Sequence, residues 1–157
     1  MKAFFHTLIA IAAFLVVLTD AASAQAPRVE YLDVVSSGFS GPGEAIQPGR
    51  IRRLFSRTPA VNARKGTAFG MTVRPVGEPK GAAIMLTWVW RVPRPGIMSM
   101  QTGKYVRRIT EDVPAKIGEE IQRTYEFKES NDIVLGDWRA EVWNGRRKLA
   151  VRRFAIR

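Results

Sequence analysis

Short apolar runs, separated by glycine, proline, asparagine or aspartate at intervals of roughly ten residues, make up the chain from Val29 onward. This rhythm is typical of an all-β sandwich or barrel, because each run is long enough for one strand and each break supplies turn residues. No stretch keeps a helical period, and the best candidate, residues 115–122, follows Pro114 and contains Gly118. The pattern predicts seven or eight strands and no helix longer than about two turns.

Alternation within the runs predicts which side chains face the core. The most apolar run, residues 83–92, places Trp88 and Trp90 on one face, so we expect a central strand there. Pro93 and Pro95 end it, since proline has no N–H to donate to a neighbouring strand. The other predicted strands are residues 29–39, a short edge strand at 50–57, 66–73, 105–113, 121–127, and the closing pair 138–142 and 149–156.

The closing pair is the clearest hairpin in the sequence. Asn144-Gly145 lies between its two strands and is well suited to a tight two-residue turn. Trp138 has inward parity, whereas Trp143 has the opposite parity and is expected at the rim beside the turn. Apolar residues in the second strand change phase along its length, so we expect a β-bulge near Arg152-Arg153.

A motif in this hairpin resembles the end of many bacterial immunoglobulin-like periplasmic modules. It consists of Gly136, Trp138 and Val142, a turn, and then Leu149 and Phe154-Ala155-Ile156. Residues 66–70 resemble the companion strand of one such family, a group of short secreted bacterial proteins of unknown function. The resemblance covers most of residues 28–157 and implies an immunoglobulin-like antiparallel β-sandwich. It implies no activity, cofactor or catalytic residue.

The first 24 residues are typical of a cleavable secretory signal peptide. A basic start precedes an apolar run at residues 3–18, and Ala22-Ser23-Ala24 supplies the small residues that a signal peptidase accepts. An uncleaved membrane anchor is the alternative, but spanning requires about 18 apolar residues and this run is shorter. We therefore predict cleavage before Gln25, no stable membrane insertion afterwards, and a single domain over residues 25–157 in the periplasm or outside the cell.

Removal of this segment leaves a chain without histidine or cysteine, because the only histidine is His6 and cysteine is absent. Histidine is the usual general base near neutral pH, and both residue types are the usual ligands of zinc and copper. This composition excludes histidine-dependent triads, thiol nucleophiles and soft-metal sites of the ordinary kind. We predict no cofactor, no metal and no catalytic residue.

Paired carboxylates offer the one catalytic alternative. The pairs occur among Glu111, Asp112, Glu119, Glu120 and Glu126. Two carboxylates about 5 to 9 Å apart across a cleft can hydrolyse glycosides. Adjacent residues of a strand point to opposite faces, however, and a small sandwich has little room for a deep cleft. A small carboxylate-dependent hydrolase is therefore one alternative, and a chaperone-like module that adds a strand to a client is another.

Two methionines, Met98 and Met100, lie in the proline- and glycine-rich loop at residues 93–103. Thioethers bind copper(I), but no histidine or cysteine is available to complete such a site. The preferred interpretation is an apolar loop tip that packs on the sandwich or on a partner.

Positive charge is the feature that points to a partner. The formal net charge is +11, and arginine binds carboxylates and phosphates through two parallel hydrogen bonds. Export and the lack of a nucleic-acid-binding motif argue against nucleic acid, and dispersed solubility charge is the alternative. We predict a non-catalytic binding or accessory module that contacts a protein or an anionic envelope partner. Its candidate surface is Trp143, Arg146, Arg147 and Lys148, together with Arg50, Arg52 and Arg53.

Overall fold

The computed structural model describes residues 26–41, 60–61 and 63–157. The predicted signal peptide, the predicted edge strand at 50–57 and the arginines at 50, 52 and 53 lie outside these residues. Within them, a single 3-10 turn at Ser130–Asp132 is the only helical element, so no helix there is long and apolar enough to cross a membrane. The strands are β1 (Arg28–Ser40), β2 (Ala60–Val61), β3 (Ala68–Glu78), β4 (Ala83–Arg91), β5 (Ile97–Met98), β6 (Tyr105–Val106), β7 (Arg108–Lys116), β8 (Ile121–Glu126), β9 (Gly136–Asn144) and β10 (Arg147–Ile156).

Two sheets form a sandwich, and a short hairpin extends from it. One sheet has the order β1-β3-β8, the other β2-β10-β9-β4-β7, and β5 pairs with β6 in the hairpin. All neighbouring pairs are antiparallel except β10 with β2. The predicted all-β antiparallel fold is confirmed, and β4 lies inside the larger sheet as expected.

Aromatic rings fill the space between the sheets. Trp88, Trp90 and Trp138 are all buried, as their parity predicts. Phe69 lies at the centre of the cluster, with its ring centroid 5.2 Å from that of Trp138, which in turn lies 4.9 Å from that of Tyr125. Such contacts hold the two sheets together without disulfides, because stacked and edge-on aromatic pairs add to the free energy gained by burial.

The extra residue of β10 lies at Leu149, and the prediction of a bulge near Arg152-Arg153 is wrong. The pairing with β9 shifts between Lys148 and Ala150, and one register then continues to Ile156. Leu149 itself packs against the core from this irregular position. An earlier bulge therefore corrects the phase of the strand and partly buries Leu149.

β3 continues beyond residue 73, where the predicted strand ends, and passes through Gly77 to Glu78. This glycine pairs with Val29 of β1, where a Cβ atom would overlap the backbone carbonyl of Arg28. Only glycine permits such a close approach, so the residue extends the strand and does not end it. β1 shifts register between Val29 and Tyr31, which turns both Val29 and Leu32 inward against the simple alternation expected there.

The predicted strand at residues 105–113 is divided in two. Its first two residues form β6, which pairs with β5, and its remainder belongs to β7, which pairs with β4. Arg107 lies between them, and its carbonyl accepts a 3.0 Å hydrogen bond from the amide of Val92. The β5–β6 hairpin is thereby attached where β4 ends and β7 begins.

Candidate anion-binding site

A row of arginines crosses the outer face of the five-stranded sheet. Arg91 and Arg139 directly follow Trp90 and Trp138, whose side chains face the core, so the two arginines face outward. The cross-strand register then aligns four residues from four adjacent strands, which we call the arginine row: Arg153, Arg139, Arg91 and Arg108. Neighbouring strands lie roughly 4.8 Å apart, so the row spans about 14 Å.

Within the part of the chain that the structure describes, most of this row has no counter-charge. Arg91 lies 3.6 Å from a carboxylate oxygen of Glu141. Arg108, Arg139 and Arg153 form no ion pair with any other residue in the described part of the chain. Like charges directly opposite each other on a sheet are destabilising. An anion bound to the row would offset this repulsion.

A hollow of about 420 Å³ lies beside the row. Its charged lining consists of Arg91, Arg107, Arg108, Arg139, Asp137 and Glu141, and Val92 and Pro93 complete it. Four positive and two negative side chains leave an excess of positive charge in this concavity. A shallow basic hollow of this kind suits an anion that also carries hydrogen-bond donors for the carboxylate of Asp137.

Glu141 connects the arginine row to the predicted surface at the hairpin turn. Its side chain is only 5% exposed. Trp143 donates its Nε1–H to one carboxylate oxygen at 3.2 Å, and Lys148 Nζ lies 3.4 Å from the other. Burial alone raises the pKa of Glu141, but the hydrogen bond from Trp143, the charge of Arg91 and the bond from Lys148 together lower the pKa below its ordinary value. Glu141 is therefore ionised at neutral pH.

The predicted hairpin-turn residues have different surroundings. Lys148 Nζ lies 4.8 Å from the ring centroid of Trp143, so one face of this half-buried ring is already covered. Arg147 donates a hydrogen bond to the carbonyl of Glu30 in β1. Arg146 is exposed at the turn. Trp143 and Lys148 thus join the arginine row through Glu141, whereas Arg146 and Arg147 lie at the far end of the hairpin.

The predicted surface contains no member of the row, and its two central members, Arg91 and Arg139, are the hardest to find in the sequence. Each is a single basic residue in an otherwise mixed strand, so neither belongs to a cluster along the sequence. The sequence does indicate that both arginines face outward, because each directly follows a tryptophan whose side chain faces the core. Alignment of these positions with Arg108 and Arg153 depends on cross-strand register, which local patterns do not contain.

The paired carboxylates are dispersed in ordinary surface ion pairs. Glu111 binds Arg123 at 3.1 Å, Glu119 lies 3.5 Å from Lys116, and Glu120 contacts Arg74. Asp112 instead accepts a hydrogen bond from the hydroxyl of Thr87 on the outer face. In residues 26–41, 60–61 and 63–157, no group of three or more histidine, cysteine, aspartate or glutamate side chains lies close enough to hold a metal ion. The arrangement that stands out chemically is the basic hollow.

No protein-family model and no curated protein matches the sequence. Among solved structures, the chain is similar to an immunoglobulin-like protein from Pseudomonas aeruginosa, with 27% identity and a TM-score of 0.60 over 85% of this chain and 99% of that one. A weaker likeness, with 8% identity and a TM-score of 0.43 over 81% of this chain and 30% of the other, is to an alkylpurine DNA glycosylase from Pseudomonas fluorescens bound to DNA. The predicted immunoglobulin-like sandwich is confirmed, while no family model supports the narrower group of short secreted proteins.

Proposed function

We propose that this protein is a non-catalytic binding module of the bacterial envelope, and that its arginine row holds an anionic partner. The observation that carries the proposal is the alignment of four arginines on adjacent strands, three of them without an ion-pair partner among the described residues. An arrangement that costs stability is expected at functional sites. The planar guanidinium group also suits carboxylate and phosphate groups better than an ammonium does.

Delivery to the envelope is part of the proposal and is supported by the signal-peptide pattern at residues 1–24. In its native cell, the protein is expected to begin at Gln25. Mass analysis of the N-terminus of the exported form tests this. Recovery of chains that still begin at Met1 would contradict it.

Neutralisation of the row tests the binding site. We would replace Arg108, Arg139 and Arg153 with glutamine and measure retention on immobilised dextran sulfate as salt is raised. Each basic residue near an anionic surface contributes about 1 kcal/mol, so the triple variant should bind about 100-fold more weakly at low salt. Elution at a much lower salt concentration is the expected result.

A second triple variant, with Lys80, Arg152 and Arg157 changed to glutamine, provides the matched control. These side chains are exposed and outside the hollow, and the variant has the same net charge as the first. We expect its elution to stay close to that of the parent. Equal losses from both variants would mean that binding follows diffuse charge, and the proposed site would be wrong.

The hairpin-turn cluster is expected to contribute less than the row. Arg147 already binds the carbonyl of Glu30, and Lys148 already contacts Glu141. Replacement of Arg146, Arg147 and Lys148 with glutamine should therefore lower the eluting salt concentration by less than the row variant does. A larger effect from this triple would place the main contact at the turn.

A further inference from the structure

An exposed apolar surface lies at the end of the sandwich where the β5–β6 hairpin is attached. Four of the eight exposed large hydrophobic side chains in the described part of the chain are here: Met98 (40% exposed), Met100 (84%), Tyr105 (54%) and Leu135 (58%). We call these four residues the apolar end. Single exposed hydrophobic residues are common, but a group of four marks a contact surface.

The apolar end borders a groove of about 390 Å³. Met98 and Tyr105 are directly paired across the β5–β6 hairpin and form one wall, while Ile133 and Leu135 line the other. Met100 extends beyond the groove, with its sulfur 4.0 Å from the side-chain nitrogen of Asn131. The predicted apolar loop tip is thus only partly packed on the sandwich, and most of Met100 faces solvent.

This groove adjoins the basic hollow. Pro93 lines the hollow and Arg94 lines the groove. On the other side, Leu135 lines the groove and Asp137, two residues later, lines the hollow. Arg107 of the hollow also lies against Gly96 of the groove, where a Cβ atom would come within 2.9 Å of its Cγ.

The arginine row lies near the same end of the sandwich. Arg91 is the last residue of β4, Arg108 is the first of β7, and Arg139 is the fourth of β9. One ligand can therefore contact both the basic hollow and the apolar end. Lys104 adds a further exposed positive charge on the loop that carries Met100.

We infer that the anionic partner is an anionic lipid surface, with headgroups on the arginine row and the apolar end inserted among the acyl chains; this inference rests on the proposed function. A soluble polyanion has no use for four exposed apolar side chains, whereas a lipid presents charge and hydrocarbon side by side. Amphipathic surfaces with basic and apolar parts bind at the boundary between headgroups and acyl chains. Positive side chains near the surface add electrostatic attraction to anionic lipids.

Vesicle binding tests the inference. We would change Met98, Met100 and Leu135 together to serine and measure cosedimentation with vesicles of mixed phosphatidylglycerol and phosphatidylcholine. The variant should lose roughly tenfold or more in affinity, because the apolar area that leaves water on binding is removed. Retention on dextran sulfate should not change, since the arginines remain.

The matched control changes Tyr31, Val35 and Met85 to serine. These are also exposed hydrophobic residues, but none of them lines the groove. We expect this control to bind vesicles like the parent, and both triple variants to keep the parent's melting temperature because the replaced side chains are exposed. Vesicle binding by the apolar-end variant at the parent's level, or equal losses from the two triples, would overturn the inference.

Binding to dextran sulfate distinguishes a failure of the lipid inference from a failure of the proposed function on which it rests. If the parent needs its arginine row to bind dextran sulfate but does not bind the vesicles, the inferred lipid partner is wrong. The partner is then an acidic polysaccharide or an acidic protein. If it binds neither, both proposals fail.

Fluorescence measures the insertion of the apolar end into the lipid. The chain has no cysteine, so Met100→Cys can carry a single environment-sensitive dye. Its emission should shift to the blue on anionic vesicles, whereas a dye at Met85→Cys should not respond.

Discussion

Trp138 and Trp88 provide a comparison in which the same substitution has two different costs. Both side chains are fully buried between the sheets. Trp138 donates its indole N–H to the carbonyl of Val134 at 2.7 Å, whereas Trp88 Nε1 has no acceptor among the described residues. Replacement of either with phenylalanine removes a similar volume, so the cavity costs are comparable. The two substitutions therefore differ mainly in the free energy of the indole hydrogen bond.

The difference follows from the general cost of unsatisfied polar groups. Trp138→Phe leaves the Val134 carbonyl without its donor, which costs about 1 to 3 kcal/mol. Trp88→Phe removes a buried N–H that already lacks an acceptor. The substitution therefore recovers part of the free energy that an unsatisfied buried polar group costs. We expect Trp138→Phe to be the more destabilising by about 2 kcal/mol. For a domain of this size, that corresponds to a difference in melting temperature of roughly 6 to 10 °C.

Urea unfolding at pH 7 measures the comparison directly, with Tyr31→Phe, an exposed position, as the control that should remain within about 0.5 kcal/mol of the parent. The slopes of the three unfolding curves should agree, since each variant exposes nearly the same area on unfolding. An equal or greater loss in Trp88→Phe would refute the reasoning. It would mean that the Trp88 N–H is satisfied in solution.

Three further predictions concern backbone contact and pH. Gly70→Ala should destabilise the protein by about 3 kcal/mol or more in urea melts, because the added Cβ would overlap a backbone carbonyl of β8, while Gly41→Ala, with open space around it, should have little effect. Since the folded-state pKa of Glu141 is lowered, its carboxylate stabilises the fold above its ordinary pKa of 4.5, and that contribution is lost as pH falls through the folded pKa. Glu141→Gln should flatten the dependence of unfolding free energy on pH below 4.5; a pH dependence identical to that of the parent would contradict the assignment. Burial raises the pKa of Tyr125 to about 12, so stability should fall between pH 10 and 12, and Tyr125→Phe should remove that part of the loss; an unchanged alkaline limb would count against it.

Local patterns were sufficient for the strands but not for the site. Alternation within one run is enough to predict that Trp88, Trp90 and Trp138 are buried, because successive side chains of a strand point to opposite faces. The bulge at Leu149 and the close approach at Gly77 involve a second strand, and they were therefore mispredicted.

The site depends even more on the partners of each strand. Trp143 and Lys148 were singled out from the sequence, and the structure connects them to Glu141. Arg91 and Arg139 were not, since they are isolated in the sequence and become neighbours only through the pairing of β4 with β9. Charge composition predicts an anionic partner, but the grouping of these arginines on one face follows only from the strand topology.

The arginine row, in which only Arg91 has an ion-pair partner among the described residues, also makes the stability of the fold depend on which anion is present. Any anion that binds the folded chain and not the unfolded chain raises the melting temperature, by an amount equivalent to about 2.7 kcal/mol at a hundred times its dissociation constant. Monovalent salt only screens the repulsion, whereas an anion that contacts several guanidinium groups removes it. A panel of phosphates, acidic sugars and short-chain anionic lipids, compared at equal ionic strength in a heating experiment, should therefore rank these three classes of anion by how strongly they bind the folded chain.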